Sequence, residues 1–372
     1  MYYVSKVSPF FFVLALMDLL VSLFYKPLDP KLAWTIAVFG FIAHTIMSAM
    51  YQIVPNSQSR ALKFSHLSYL VFLFSLICSL LFYVGWSLYT SYLYAVTSLI
   101  FSVHVLSSIR NWQPITVKFL GLGTVYFFTS SFFLVLSEMG YIPSALALHT
   151  NTLGFMLNVV MGTQLAWIPM LYMEPLKVKH AKRLFYLSLI ALPPFLFAFY
   201  TMNYQLISLV SLLPIFLVAY FLWTLYTVFS ERRMPKEIPL VVRYFLLAMV
   251  FLPFGILTGI LMASRNLVSF LVNVHMDLLV YGFTSITVMG GVSHLLPRII
   301  YGWKQSKGMS VSIQDFVDER LVKGIFPFVP MSVFWMALCD ALGGIFSYFS
   351  SLPYMLLWIL FFSAFLKRKI LT

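Results

Sequence analysis

The chain has 372 residues, 61% of them hydrophobic and only 9% charged, and its mean hydropathy is +0.93. So few polar residues cannot coat a water-soluble globule of this length, so the sequence expects lipid as its solvent. The formal net charge of +13 therefore reads as membrane topology and contact with anionic lipid, and nucleic acid is excluded as its explanation.

Apolar runs of about 18 residues or more predict twelve spans, at roughly 8–25, 32–55, 66–86, 89–110, 115–138, 144–173, 183–200, 204–229, 239–262, 267–297, 325–346 and 351–366. The expected fold class is an all-α polytopic membrane protein, a single transmembrane domain over residues 1–372. The first span has neither a strong basic region before it nor a small-residue cleavage site, and reads as a retained helix. With the N-terminus inside, 21 of the 24 Lys and Arg residues fall on the cytoplasmic side, and only Lys26, Lys31 and Arg265 fall outside. Lys and Arg bias loops inward, so both termini are expected in the cytoplasm and the chain in the cytoplasmic membrane. The longest inner connection, 302–324, mixes Val311, Ile313, Phe316, Val317 and Leu321 with Asp315, Asp318, Glu319 and Lys323, which predicts a short amphipathic helix on the inner leaflet.

Three spans repeat one pattern. Met47 is followed by Pro55, Met161 by Pro169 and Met289 by Pro297, always eight residues apart, with the copies 114 and 128 residues from one another. An internal period of about four spans predicts three arcs of four helices, about 1–114, 115–238 and 239–372, with spans 2, 6 and 10 as equivalent, central members. No Gly-rich phosphate loop, nucleophile elbow or hydrolytic carboxylate pair is present; Gly121 and Gly123 read as helix packing, and Cys78 and Cys339 as packing residues without a metal-ligand partner.

Ionisable residues inside a membrane are costly and are functional candidates by default. They are His44 in span 2, His104 in span 4, His149 in span 6, and His275, Asp277 and His294 in span 10, with Asp18 in span 1, Glu138 at the end of span 5 and Asp340 in span 11. His66 and His180 read as interfacial, and His104 as structural. Four of the five membrane histidines fall on the three repeated spans. His149 and His275 lie at similar depth, where two neutral imidazoles across a bundle suit a haem iron; hydrogen bonds to a neighbouring backbone or hydroxyl are the plainer alternative. His44, near mid-membrane, is a third candidate lining residue of a cofactor pocket. Asp277 points about 200° away from His275, and could pair with a buried cation, orient a ligand, carry protons or make a structural hydrogen bond. Asp340 and Asp18 read either as further members of a proton path or as polar contacts within the bundle.

Twelve spans in three arcs resemble subunit I of the heme-copper oxidase superfamily, including the cbb-type oxidases and nitric oxide reductases. In motif the resemblance rests on two segments. His149-Thr-Asn-Thr-Leu-Gly-Phe running to Pro169 is similar to the family segment that opens on a copper-ligating His. His275-Met-Asp, continuing to His294-Leu-Leu-Pro-Arg, is similar to the family's His-x-His segment. The resemblance implies a b-type haem with His275 as its proximal ligand, and places Asp277 where the family has a second ligand. Span 7, with Leu192-Pro193-Pro194-Phe195, has no His pair, and the low-spin haem position of span 2 falls near Thr35. No copper site of the family kind is therefore expected. What the resemblance leaves is an oxidase-like, electron-carrying haem subunit of the respiratory chain, with a haem between His275 and His149, its iron held by both or by His275 alone with His149 distal. Its partners would be lipid, other respiratory subunits or a cytochrome, and quinol as a donor. A cofactor-free transporter or scaffold subunit is the alternative.

Overall fold

The computed structural model describes residues 5–85, 87–231, 237–264 and 269–366, the side chain of Ser269 excepted. Of the basic residues used to assign topology, Arg232, Arg233, Lys236, Arg265, Lys367, Arg368 and Lys369 lie outside the described residues.

Among the described residues, eleven helices are long and apolar enough to cross a membrane: α1 Ser8–Tyr25, α2 Pro30–Ser57, α4 Ser87–Ser108, α5 Ile115–Glu138, α6 Ser144–Tyr172, α7 Val178–Thr201, α8 Tyr204–Ser230, α9 Leu240–Ser264, α10 Phe270–Ser306, α11 Glu319–Leu342 and α12 Ile345–Ser363. A shorter apolar helix of 17 residues, α3 Leu67–Tyr83, occupies the place of the third expected span. No strand occurs among the described residues. Local chemistry sets the starts: Asp29 caps α2 by accepting from Leu32 N at 3.0 Å ahead of Pro30, and Asn203 caps α8 through Leu206 N at 3.0 Å, each satisfying one of the first-turn donors a helix leaves open. The inner connection differs from expectation. α10 continues to Ser306, and the rest holds one 3-10 turn, Ile313–Phe316, closed by a reciprocal Ser312–Asp315 capping box. Asp318 then caps α11 by accepting from Arg320 N and Leu321 N. Two strong caps so close together start two separate elements, the 3-10 turn and α11, and prevent one continuous amphipathic helix.

The chain forms two compact units. One comprises Met1–Ala61, Leu240–Thr258 and Val268–Thr372, and so holds α1, α2, most of α9, and α10 to α12; the other comprises Leu62–Pro239 and Gly259–Leu267, and holds α3 to α8 with the end of α9.

The three repeated helices share a backbone distortion. α2 widens into π turns at Ile36–Ile42, α6 at Thr150–Leu157 and α10 at Asp277–Thr284, ending five, four and five residues before Met47, Met161 and Met289. A π turn carries an extra residue per turn and is common at functional sites. These helices are also the most enclosed: 78% of the most apolar stretch of each is buried, against 28–56% for the other spans. Each π segment contains Gly-Phe seven residues before the Met: Gly40-Phe41, Gly154-Phe155 and Gly282-Phe283. At each glycine the neighbouring helix comes so close that a Cβ would stand 2.8 Å from Asp18 Cγ, 2.6 Å from Tyr126 Cγ or 2.8 Å from Phe251 Cγ. The pattern Gly-Phe-x5-Met-x7-Pro thus marks a helix that is widened, tightly approached on one side, and broken near its end by proline.

Candidate functional site: buried charges in the first unit

The first unit gathers most of the ionisable candidates. Lys26 follows the last turn of α1, and its backbone N–H still donates to Ser22 O at 3.0 Å. Its side chain turns into the protein, where Nζ lies 2.7 Å from Asp277 Oδ1 on α10 and 2.8 Å from Asp340 Oδ2 on α11. The three side chains are at most 4% exposed. The sequence places Lys26 with the outer loops; in the structure it is the buried partner of Asp277. The Tyr281 ring, one turn beyond Asp277, stands 5.8 Å from Nζ and adds a cation–π contact. A charge taken out of water needs a partner of this kind, because desolvation costs several kcal/mol per ion.

Two turns back along α1, Asp18 Oδ2 lies 2.7 Å from His44 Nδ1, with both side chains fully buried. Gly40 is what lets Asp18 come this close to α2. Between the two charged groups, Ser22 Oγ lies 2.7 Å from the Tyr281 hydroxyl. Behind Tyr281, the Tyr354 hydroxyl donates to Tyr281 O at 2.6 Å, and Trp358 Nε1 donates to Ser285 Oγ at 2.9 Å, with Tyr354 and Ser285 hydroxyls 2.7 Å apart. Ser285→Ala should destabilise by about 1–3 kcal/mol, because it leaves the buried Trp358 N–H without its acceptor; a thermal melt in detergent measures this.

His275, also in this unit, donates Nδ1–H to Gly255 O at 2.8 Å. A carbonyl can only accept, so in the neutral ring the lone pair is on Nε2. His294 is buried, and its own carbonyl accepts from Arg298 Nη1 at 2.7 Å, next to Pro297.

In the second unit, His149 donates Nδ1–H to Ala145 O at 2.7 Å and stacks on Phe199 with centroids 3.8 Å apart. At His275 the Nδ1 bond reaches the backbone of a neighbouring helix, α9, whereas at His149 it stays within its own helix. In the same unit Asn158 ties the π segment of α6 to α7, its Nδ2 donating to Gly154 O at 2.6 Å and its Oδ1 accepting from Ser188 Oγ at 2.7 Å. The His104 carbonyl accepts from Ser108 Oγ at 2.7 Å. His180 faces the Tyr220 hydroxyl at 3.3 Å. Among the described residues, no three His, Cys, Asp or Glu side chains are grouped closely enough to hold a bare metal ion.

Lys26, Ser22 and Tyr281 were missed by sequence reading. The available signal was spacing: Asp18, Ser22 and Lys26 recur every four residues, as do Asp277 and Tyr281, which puts each set on one helix face.

Helices of this length and polarity, with ion pairs sealed among them, define a multi-pass membrane protein with an internal charged network. No family model matches the chain. An Aquifex aeolicus (strain VF5) protein described as an uncharacterized protein is 42% identical over 368 residues, which is 97% of this chain and 97% of that one. The chain belongs to the same family as that protein.

Proposed function

We propose that the protein is a divergent subunit-I-like member of a respiratory membrane complex: twelve spans in three arcs, both termini in the cytoplasm, binding a b-type haem and passing electrons within the cytoplasmic membrane. The observation that carries this reading is His275. Its Nδ1–H···O=C bond to Gly255 fixes the tautomer and orientation that an axial ligand needs, which is the usual arrangement behind a metal-bound imidazole. His149 is oriented in the same way by Ala145 O, so each ring by itself fits an iron ligand. Three π-distorted, deeply enclosed helices at equivalent register support the arc arrangement. Haem bound at His275 would supply one-electron transfer; the chain's part is to present Nε2 and to exclude water around it. Quinol as donor, and a cytochrome or other respiratory subunits as partners, belong to the same reading.

The Lys26–Asp277–Asp340 cluster favours a second reading, a cofactor-free carrier, since buried ion pairs also mark transport sites. A visible spectrum separates the two. The purified protein should show a Soret band with reducible α and β peaks, and His275→Ala should abolish it. A band that survives in the variant refutes His275 as ligand, and a wild-type protein without a band, even after supply of haem, favours the carrier.

A further inference from the structure

The first unit contains a run of polar side chains that haem ligation does not use. Lys26, Ser22 and Asp18 stand one above another on α1, each with a buried partner from another helix: Asp277 and Asp340, Tyr281, and His44. From His44 the same four-residue spacing continues on α2 through Ser48 and Gln52. Ser48 Oγ lies 3.0 Å from Ser8 Oγ and donates to Ser8 O at 2.6 Å, and Gln52 Oε1 accepts from Ser5 N at 3.1 Å.

Because α1 and α2 pair in opposite directions, 18 with 44, 8 with 48 and 5 with 52, the two ladders join at Asp18–His44 and continue one another. Two turns and more of each helix, at about 1.5 Å per residue, cover roughly 24 Å before side-chain reach is added, close to the hydrocarbon thickness of about 30 Å. Every rung from Lys26 to Gln52 is buried. Leu and Ala would pack these faces without the cost of polar groups in lipid. At the junction, His44 Nε2 is buried with no hydrogen-bond partner, while Nδ1 faces a carboxylate. The groups set against this ring are Asp18 and Phe11 of α1, the latter with centroids 6.1 Å away.

We propose that α1 and α2 carry a proton path through the membrane, with the Asp18–His44 pair as its central relay. The cargo is H⁺. A proton taken up at His44 Nε2 makes an imidazolium whose charge Asp18 compensates, and loss of a proton from either nitrogen restores the neutral ring. The hydroxyls of Ser22, Tyr281 and Ser48 accept one proton and give up another, so no charge remains on them. Successive rungs on a helix are one turn apart, about 5–6 Å, a gap that one bridging water spans. The path stands independently of haem.

The test uses the whole protein in phosphatidylcholine–phosphatidylglycerol vesicles that enclose a pH-sensitive dye, with a potassium diffusion potential as the driving force. Wild-type vesicles should acidify faster than empty ones, and His44→Gln or Asp18→Asn should slow this on the order of a hundredfold, as for removal of a proton-transfer group. Flow no faster than in empty vesicles, or unchanged in both variants, overturns the proposal. A second measurement needs no folded variant in vesicles. In protein labelled with 15N-histidine, the His44 ring proton should exchange with D2O far faster than the backbone amides of α1, and a ring proton as protected as those amides equally overturns the path.

Discussion

Lys26→Met should be among the most damaging single substitutions in the protein, with an expected loss of about 3–5 kcal/mol, the range for removing one partner from a buried ion pair. Lys26 Nζ is the cation shared by Asp277 and Asp340, at 2.7 and 2.8 Å, so the variant keeps the methylene packing but leaves two carboxyls enclosed without it. Most of the loss is the cost of those stranded acids, and a smaller part is the attraction itself. The double variant Lys26→Met/Asp340→Asn should therefore melt above Lys26→Met alone, although it has lost a further charge. Thermal melts in detergent followed by circular dichroism, combined as a double-mutant cycle, read this directly. Equal melting temperatures for wild type and Lys26→Met would show that the cluster contributes no net stability.

Gly154→Ala and Gly282→Ala should each cost about 1–3 kcal/mol, the range for overpacking. The added methyl would meet Tyr126 Cβ at 2.8 Å and Phe251 Cβ at 3.0 Å. Those atoms are fixed to the neighbouring backbone, so rotation of the ring cannot relieve the contact and the helices must part. Gly40→Ala should do the same on α2 and in addition push Asp18, 2.8 Å away at Cγ, off His44. Gly324→Ala is the control: nothing lies within 4 Å of its Cβ position, and in a helix the change should be neutral or stabilising by up to about 1 kcal/mol. A melting series in which all four variants behave alike would contradict a role for close approach at the π segments.

The repeat shows how partial a sequence signal can be. The Met and Pro positions flag α2, α6 and α10, and the same three helices emerge as the most enclosed. The more telling part, Gly-Phe seven residues before each Met, gains its meaning only once the backbone shows a π turn and a neighbouring helix against the glycine. Hydropathy is blind to both, since a widened turn contains the same apolar residues as a regular one.

The charged residues divide in the same way. That Asp277 needs a buried partner was legible, because a carboxylate in lipid is too costly to stand alone. That the partner is Lys26, some 250 residues earlier, was not, because a basic residue just past a helix end reads equally well as a loop charge. His149 and His275 were legible as candidates by their helices, whereas the carbonyls that orient them, Ala145 and Gly255, carry no side-chain signal at all.

By itself the sequence determined that the chain is helical and membrane-embedded, roughly where most of its apolar helices lie, and which three resemble one another, because length, hydropathy and proline act over a few neighbouring residues. The tertiary structure alone decided which charge meets which, where a glycine is indispensable, and that Asp18 and His44 join two polar faces into one. Those outcomes depend on how helices rotate and pack against each other, and that balance is struck among residues far apart in the chain.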